Sequence, residues 1–171
     1  MKILVFSDSH GCLENARNVL QRIGGRMEYV FHLGDLDVDA KDLQAEFPQL
    51  KFYWVQGNND YGGNTPSKQM VSVLGKRLLL THGHKQRVHW NDNTIAYWAE
   101  EQGADAVLFG HTHSPVNDSQ GRVMLFNPGS ISLPRDSHVP TFGILDISET
   151  GVIQGSIMEY WDKETFRLKV R

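Results

Sequence analysis

The 171-residue sequence predicts an α/β fold, a four-layer α/β/β/α sandwich of two packed mixed sheets flanked by helices. Three observations carry this. The first half alternates short apolar runs with amphipathic stretches, the β-α-β-α-β rhythm of a parallel sheet with right-handed crossovers. The last third is rich in strand-like runs joined by Gly- and Asp-containing turns. Five apolar runs also stop at metal-type side chains, and open α/β sheets place their sites at strand carboxyl ends.

The elements follow in order. Residues 1–7 read as a strand around Ile3-Leu4-Val5-Phe6. Leu13, Ala16, Leu20 and Ile23 recur at spacings of three and four, the stripe of an amphipathic helix, which Gly24-Gly25 ends. Residues 29–34 form a second strand. Residues 38–47 are helical, with Leu43 and Phe47 four apart and Pro48 as the stop. A third strand covers 51–56. The turn-rich segment 57–67 reads as a site loop rather than a linker. Gln69–Val73 and Lys76–Thr81 form a hairpin around Leu74-Gly75. A helix over 92–102 puts Ile95, Trp98, Ala99 and Gln102 on one face. Further strands are expected at 105–110, 122–127, 141–147, 152–159 and 164–170. With no repeat, low-complexity segment or linker, residues 1–171 are expected to be one domain.

Composition narrows the function classes. A hydrophobic content of 40% with 22% charged residues is that of an ordinary globular protein. Seventeen basic against twenty acidic side chains leave a net charge of −3, without any Lys/Arg block. Long nucleic acid and membrane surfaces are therefore not expected partners. Cys12 is the single cysteine, so no intrachain disulfide can form. The first apolar run is too short for a secretory signal, and none approaches the ~20 residues of a membrane span. A cytoplasmic location is expected. An apolar surface on the β-rich end is a candidate dimer interface.

The candidate site residues are Asp8, His10, Asp35, Asn58, His82, His111 and His113. Asp8 and His10 follow the first strand, Asp35 the second and Asn58 the third; His82 follows Leu78-Leu79-Leu80-Thr81, and His111 and His113 follow Ala106–Gly110. A two-residue step on extended backbone points both side chains the same way, so the pairs Asp8/His10 and His111/His113 can each face one cavity. Carboxylate, amide and imidazole donors without thiolates suit hard or borderline first-row cations. Other residues have blander readings. His32 is expected to be packed or hydrogen-bonded inside its strand, and His89 and His138 to sit at the surface or rim. Cys12 is expected to fill a small apolar space at the start of the first helix. Trp54, Trp90, Trp98 and Trp161 are expected in the core or at an interface. Arg135 is a candidate phosphate contact.

The strings Asp8-Ser9-His10, Gly34-Asp35, Gly57-Asn58, His82-Gly83-His84 and Gly110-His111-Thr112-His113 resemble, in the same order, those of the calcineurin-like metallophosphoesterases. Asn127-Pro128-Gly129-Ser130 and Leu133-Pro134-Arg135 resemble the small single-domain bacterial and archaeal phosphodiesterases within that superfamily. The resemblance implies two divalent ions per chain. Manganese is the expected metal, with iron, zinc, nickel or cobalt as alternatives. Asp8, His10, Asp35 and His113 would hold one ion, and Asp35, Asn58, His82 and His111 the other, with Asp35 bridging. The implied reaction is hydrolysis of a small phosphodiester, or a phosphomonoester, by in-line attack of a hydroxide shared by the ions. The superfamily often has a histidine directly after the Asn ligand; Asn59 stands there instead, and Asn cannot act as an acid near neutral pH. Asn59 can still donate a hydrogen bond to a phosphoryl oxygen. His84 or Asp60 are alternatives for the leaving-group proton, and His84 can equally orient a ligand. A binding scaffold and a nuclease are the competing classes.

Overall fold

The computed structural model describes residues 1–136, 139–162 and 167–170. The elements are β1 (Lys2–Phe6), α1 (Glu14–Ile23), β2 (Tyr29–His32), α2 (Asp37–Glu46), β3 (Phe52–Trp54), β4 (Lys68–Val73), β5 (Lys76–Thr81), α3 (Asn93–Glu101), β6 (Ala106–Leu108), β7 (Val116–Asp118), β8 (Met124–Asn127), β9 (Thr141–Ile147), β10 (Ile153–Asp162) and β11 (Arg167–Val170). They form a six-stranded sheet, β11-β10-β9-β1-β2-β3, and a five-stranded sheet, β4-β5-β6-β8-β7. Both are mixed. β1, β2 and β3 run parallel, as do β5, β6 and β8, while the outer strands are antiparallel.

The period of two along each strand explains the layers. In β1, Ile3 and Val5 face the second sheet and meet Leu78, Leu80, Ala106 and Leu108 in the central core. Leu4 and Phe6 face the other way and pack with Ala16, Val19 and Leu20 of α1 and Leu43 of α2. Ile95 and Ala99 of α3 cover the far side of the second sheet, over Leu79, Val107 and Leu125. Strands clad on both faces have no polar side to show, so their sequences are unbroken apolar runs.

The expected hairpin is present. Leu74 and Gly75 both have positive φ, 47° and 78°, the two-residue turn whose twist matches antiparallel strands. β7 was not anticipated: three residues, two of them polar, on an edge after Pro115 carry no periodic signal. Within the strand expected over 164–170, Arg167–Val170 is strand and residues 164–166 lie outside the described residues, as does His138. Cys12 is exposed, not an apolar filler, because the backbone turns at Ser9–Cys12 before α1 begins. Trp54 and Trp98 pack against the cores, whereas Trp90 and Trp161 lie outside them and are exposed. None of the described helices is long and apolar enough to cross a membrane.

Candidate metal centre

The carboxyl ends of the two parallel strand sets meet at one rim. Asp8 N–H donates to Gly34 O at 3.2 Å, joining the loops after β1 and β2, and Gly110 N–H donates to His82 O at 3.1 Å, joining those after β5 and β6. Asp8 then crosses between the sheets: its Oδ2 accepts from His111 N–H at 2.9 Å and from the Ser7 hydroxyl at 2.6 Å. His82 crosses in the other direction, its Nδ1 2.8 Å from Leu33 O.

These loops come unusually close together. A Cβ on Gly57 would lie 2.2 Å from Asp35 N, and one on Gly110 would lie 1.9 Å from Ser7 Oγ. Only glycine permits either approach. The backbone is also bent against its preference. Asp8, His10, Asp35, His111 and His113 all have positive φ, between 49° and 95°. A non-glycine residue there persists only where its surroundings over-determine it, and such residues gather at functional sites.

The side chains converge accordingly. His10 Nε2 lies 3.0 Å from His113 Nε2, and His10 Nδ1 lies 3.0 Å from Asp35 Oδ2. His113 Nε2 is 3.3 Å and His82 Nε2 is 3.9 Å from Asp8 Oδ1, while His82 Nε2 is 2.8 Å from Asn58 Oδ1. Donors about 2.1 Å from a shared cation would sit about 3 Å apart, the spacing seen here. Two tight groups result, Asp8 with His10 and His113, and Asp8 with Asp35 and His82. His111 reaches the cluster by its ring, 5.0 Å from that of His82 and 4.4 Å from that of the exposed His89.

The donor chemistry fits divalent ions. Asp8 Oδ1 and Asp35 Oδ2 are buried and make no hydrogen bond. Leu33 O and Leu133 O engage the Nδ1 atoms of His82 and His113, which leaves the Nε2 lone pairs for the cavity. Acceptors thus face acceptors, and a cation resolves that conflict. The carboxylates and imidazoles also shift one another's titration. Burial alone would raise Asp8, but His113, His82 and the Ser7 hydroxyl hold it below the usual range. His113 would fall on burial, yet Asp8 lifts it above the ordinary imidazole value. Each member of the pair therefore favours the charged form of the other. Burial raises Asp35 against the pull of His10, with the Asp8 charge adding to the rise. Burial, helped by His82 and His89, pushes His111 down to about 4, so its ring is neutral and able to ligate.

The remaining candidates have settled places. Asn59 Nδ2 donates to Asp35 Oδ1 at 2.6 Å, orienting that carboxylate. Asp60 accepts from Gly57 N–H at 2.7 Å and Asp37 N–H at 2.9 Å, so it ties the loop to the start of α2. The His84 ring lies 5.4 Å from that of His82, and its buried Nδ1 has no hydrogen-bond partner. Arg135 is exposed at the rim beside His113, whose charge it opposes. His32 is buried and hydrogen-bonded, as expected.

A family model for the calcineurin-like phosphoesterase superfamily domain matches residues 1–150. The chain belongs to that superfamily. It is 36% identical to the Escherichia coli phosphodiesterase YfcE, over 90% of this chain and 91% of that one. It is 32% identical to the probable metallophosphoesterase YsnB of Bacillus subtilis, over 86% and 85%. Among solved structures, a conserved uncharacterized protein and predicted phosphoesterase from Streptococcus pneumoniae superposes with a TM-score of 0.79 at 27% identity, covering 99% of this chain and 97% of that chain.

Several supporting residues of this phosphoesterase domain escaped the sequence reading. The Ser130 and Ser132 hydroxyls donate to Asp8 O at 2.7 and 3.0 Å. Asn127 Nδ2 donates to Gly110 O and Thr112 Oγ1, holding the loop that carries His111 and His113. The one available signal was the Asn127-Pro128-Gly129-Ser130 string, which bore a resemblance but no role.

Proposed function

We propose that the chain hydrolyses small phosphodiesters, and phosphomonoesters with them, at a centre of two divalent ions, with manganese the expected metal. The observation that carries this reading is the pair of buried carboxylate oxygens, Asp8 Oδ1 and Asp35 Oδ2, without hydrogen bonds among imidazole nitrogens. When bound, the ions supply Lewis acidity toward phosphoryl oxygens and lower the pKa of water. Asp8, His10, Asp35 and His113 hold one ion; Asp35, Asn58, His82 and His111 hold the other. Asp35 is the shared ligand by family resemblance, but Asp8 belongs to both donor groups and is a second candidate for that role.

The protein's own part is to fix donors before substrate arrives. Leu33 O and Leu133 O set the imidazoles, His111 N–H and the Ser7 hydroxyl set Asp8, and Asn59 sets Asp35. Asn59 and Asp60 are both engaged, so neither offers a proton to the leaving group. Bis(p-nitrophenyl) phosphate should therefore be cleaved faster than an alkyl phosphodiester.

The test is turnover of bis(p-nitrophenyl) phosphate by metal-stripped protein, by the same protein restored with Mn²⁺, and after chelation. Activity should appear with Mn²⁺ and vanish with chelator, and Asp35→Asn should lose activity and bound metal while remaining folded. Turnover insensitive to chelation, or full activity in Asp35→Asn, would overturn the reading.

A further inference from the structure

Behind the centre lies a buried hydrogen-bonded chain. Gly34 N–H donates to His32 Nδ1 at 3.3 Å. That leaves Nε2 as the N–H of the neutral ring, and it lies 2.9 Å from Ser9 Oγ. The Ser9 hydroxyl donates in turn to Asp39 Oδ2 at 2.5 Å, and the same oxygen accepts from Gly11 N–H at 2.9 Å. His32, Ser9 and Asp39 are all at most 3% exposed. Asp39 stands in the first turn of α2, where the positive end of the helix dipole favours a buried carboxylate.

Each link touches backbone that carries a proposed ligand. Ser9 stands between Asp8 and His10, which both hold positive φ. Gly34 precedes Asp35. The three links come from the end of β2, the loop after β1 and the start of α2. Something must hold the loop after β1 in its disfavoured conformation, since Asp8 and His10, two non-glycine residues separated by one position, both have positive φ there. Ser9 is the one side chain between them, and both of its hydrogen-bonding partners are themselves anchored.

We propose that His32, Ser9 and Asp39 are positioning residues that set the Asp8/His10 loop against Asp35 for metal binding, a proposal that rests on the metal-centre reading above. They touch no metal donor atom. They act through the backbone, so their effect belongs to affinity for the ions rather than to the chemical step. Outer partners of this kind change metal affinity about 10–100-fold when removed.

The experiment is Mn²⁺ calorimetry on metal-stripped wild type, Ser9→Ala, His32→Met and His32→Gln, with the melting temperature of each metal-free protein measured alongside. Ser9→Ala and His32→Met should bind Mn²⁺ about 10–100-fold more weakly. His32→Gln keeps an amide N–H at the position of Nε2 and should recover most of that loss. A lower melting temperature with unchanged Mn²⁺ affinity in Ser9→Ala would overturn the proposal, because the chain would then be structural only. Equal affinities for His32→Gln and His32→Met would overturn it as well. A wild type that binds no Mn²⁺ would instead sink the metal-centre reading itself, a separate failure.

Discussion

The floor of the site and its rim are built differently. On the floor, Asp8, Asp35, His82 and His113 are almost fully buried, and each has an atom held by a backbone group or a neighbouring side chain. At the rim, His89 is exposed and His84 partly so; these two imidazoles meet the cluster ring against ring, at 4.4 to 6.0 Å. Fixed donors suit ions, whose geometry tolerates little error. Loosely packed rings suit a substrate edge that varies. Damage to the floor should therefore be severe and independent of substrate, and damage to the rim mild and substrate-dependent.

Gly110→Ala strikes the floor hardest. Its Cβ would fall 1.9 Å from Ser7 Oγ and 2.7 Å from Asp8 Oδ2, short side chains with nowhere to go. The cost should exceed the roughly 1–3 kcal/mol of ordinary overpacking, and Mn²⁺ affinity should fall with it. Gly62→Ala is the matched control in the site loop. Nothing lies within 4 Å of its Cβ, so only the positive φ of 70° is penalised, by about 1–2 kcal/mol. Denaturant melts and calorimetry on both variants would break the comparison if Gly62→Ala proved the more damaging.

The next effect is on stability against pH. Burial, opposed mainly by Asp39, pushes His32 down to about 4, against 6.5 for the free side chain. Because the folded-state value is the depressed one, the stabilisation is complete above about pH 6.5 and is lost as pH falls toward 4. The full loss is about 3 kcal/mol, from a shift of that size. Metal-free wild type should lose stability over this window, and His32→Gln, which does not titrate, should lose that much less. Parallel pH profiles for the two proteins would show that His32 takes up its proton as readily in the folded protein as in the unfolded chain, and the floor would then be softer than the burial of His32 implies.

The same division explains what was legible in the sequence. Apolar runs clad on both faces announced the central strands, and metal-type residues at their ends announced the side chains that converge at the rim, since both signals are local. The four layers were legible too, in the shift from alternating β and α elements to consecutive strands. β7 was not, because three residues on an edge need no apolar pattern. Nor were Ser9, Asp39, Asn127 and Ser130. A hydroxyl or carboxylate that braces a loop looks like any turn residue until the chain brings its partner close: Asp39 is thirty positions from Ser9, and Ser130 is 122 from Asp8. The exposure of Cys12 was misread for the same reason, because residue type alone says little about which side of a loop faces solvent.

The smallest expected effects are at the rim. His84→Ala and His89→Ala should each change kcat/KM for bis(p-nitrophenyl) phosphate by less than about tenfold and leave Mn²⁺ affinity near wild type, since general-acid help of ~10²–10⁴-fold is not needed when p-nitrophenolate departs unaided. Burial, with His82 and Lys85 adding, lowers His84 below the ordinary imidazole value, which also makes it a poor store of a proton at neutral pH. An alkyl phosphodiester is the sharper probe. If His84→Ala slowed that substrate a hundredfold while sparing the nitrophenyl ester, His84 would carry the leaving-group proton, and the rim would take part in the chemistry. Small losses on both esters would keep catalysis on the floor, with the ring of His84 serving only to pack beside His82.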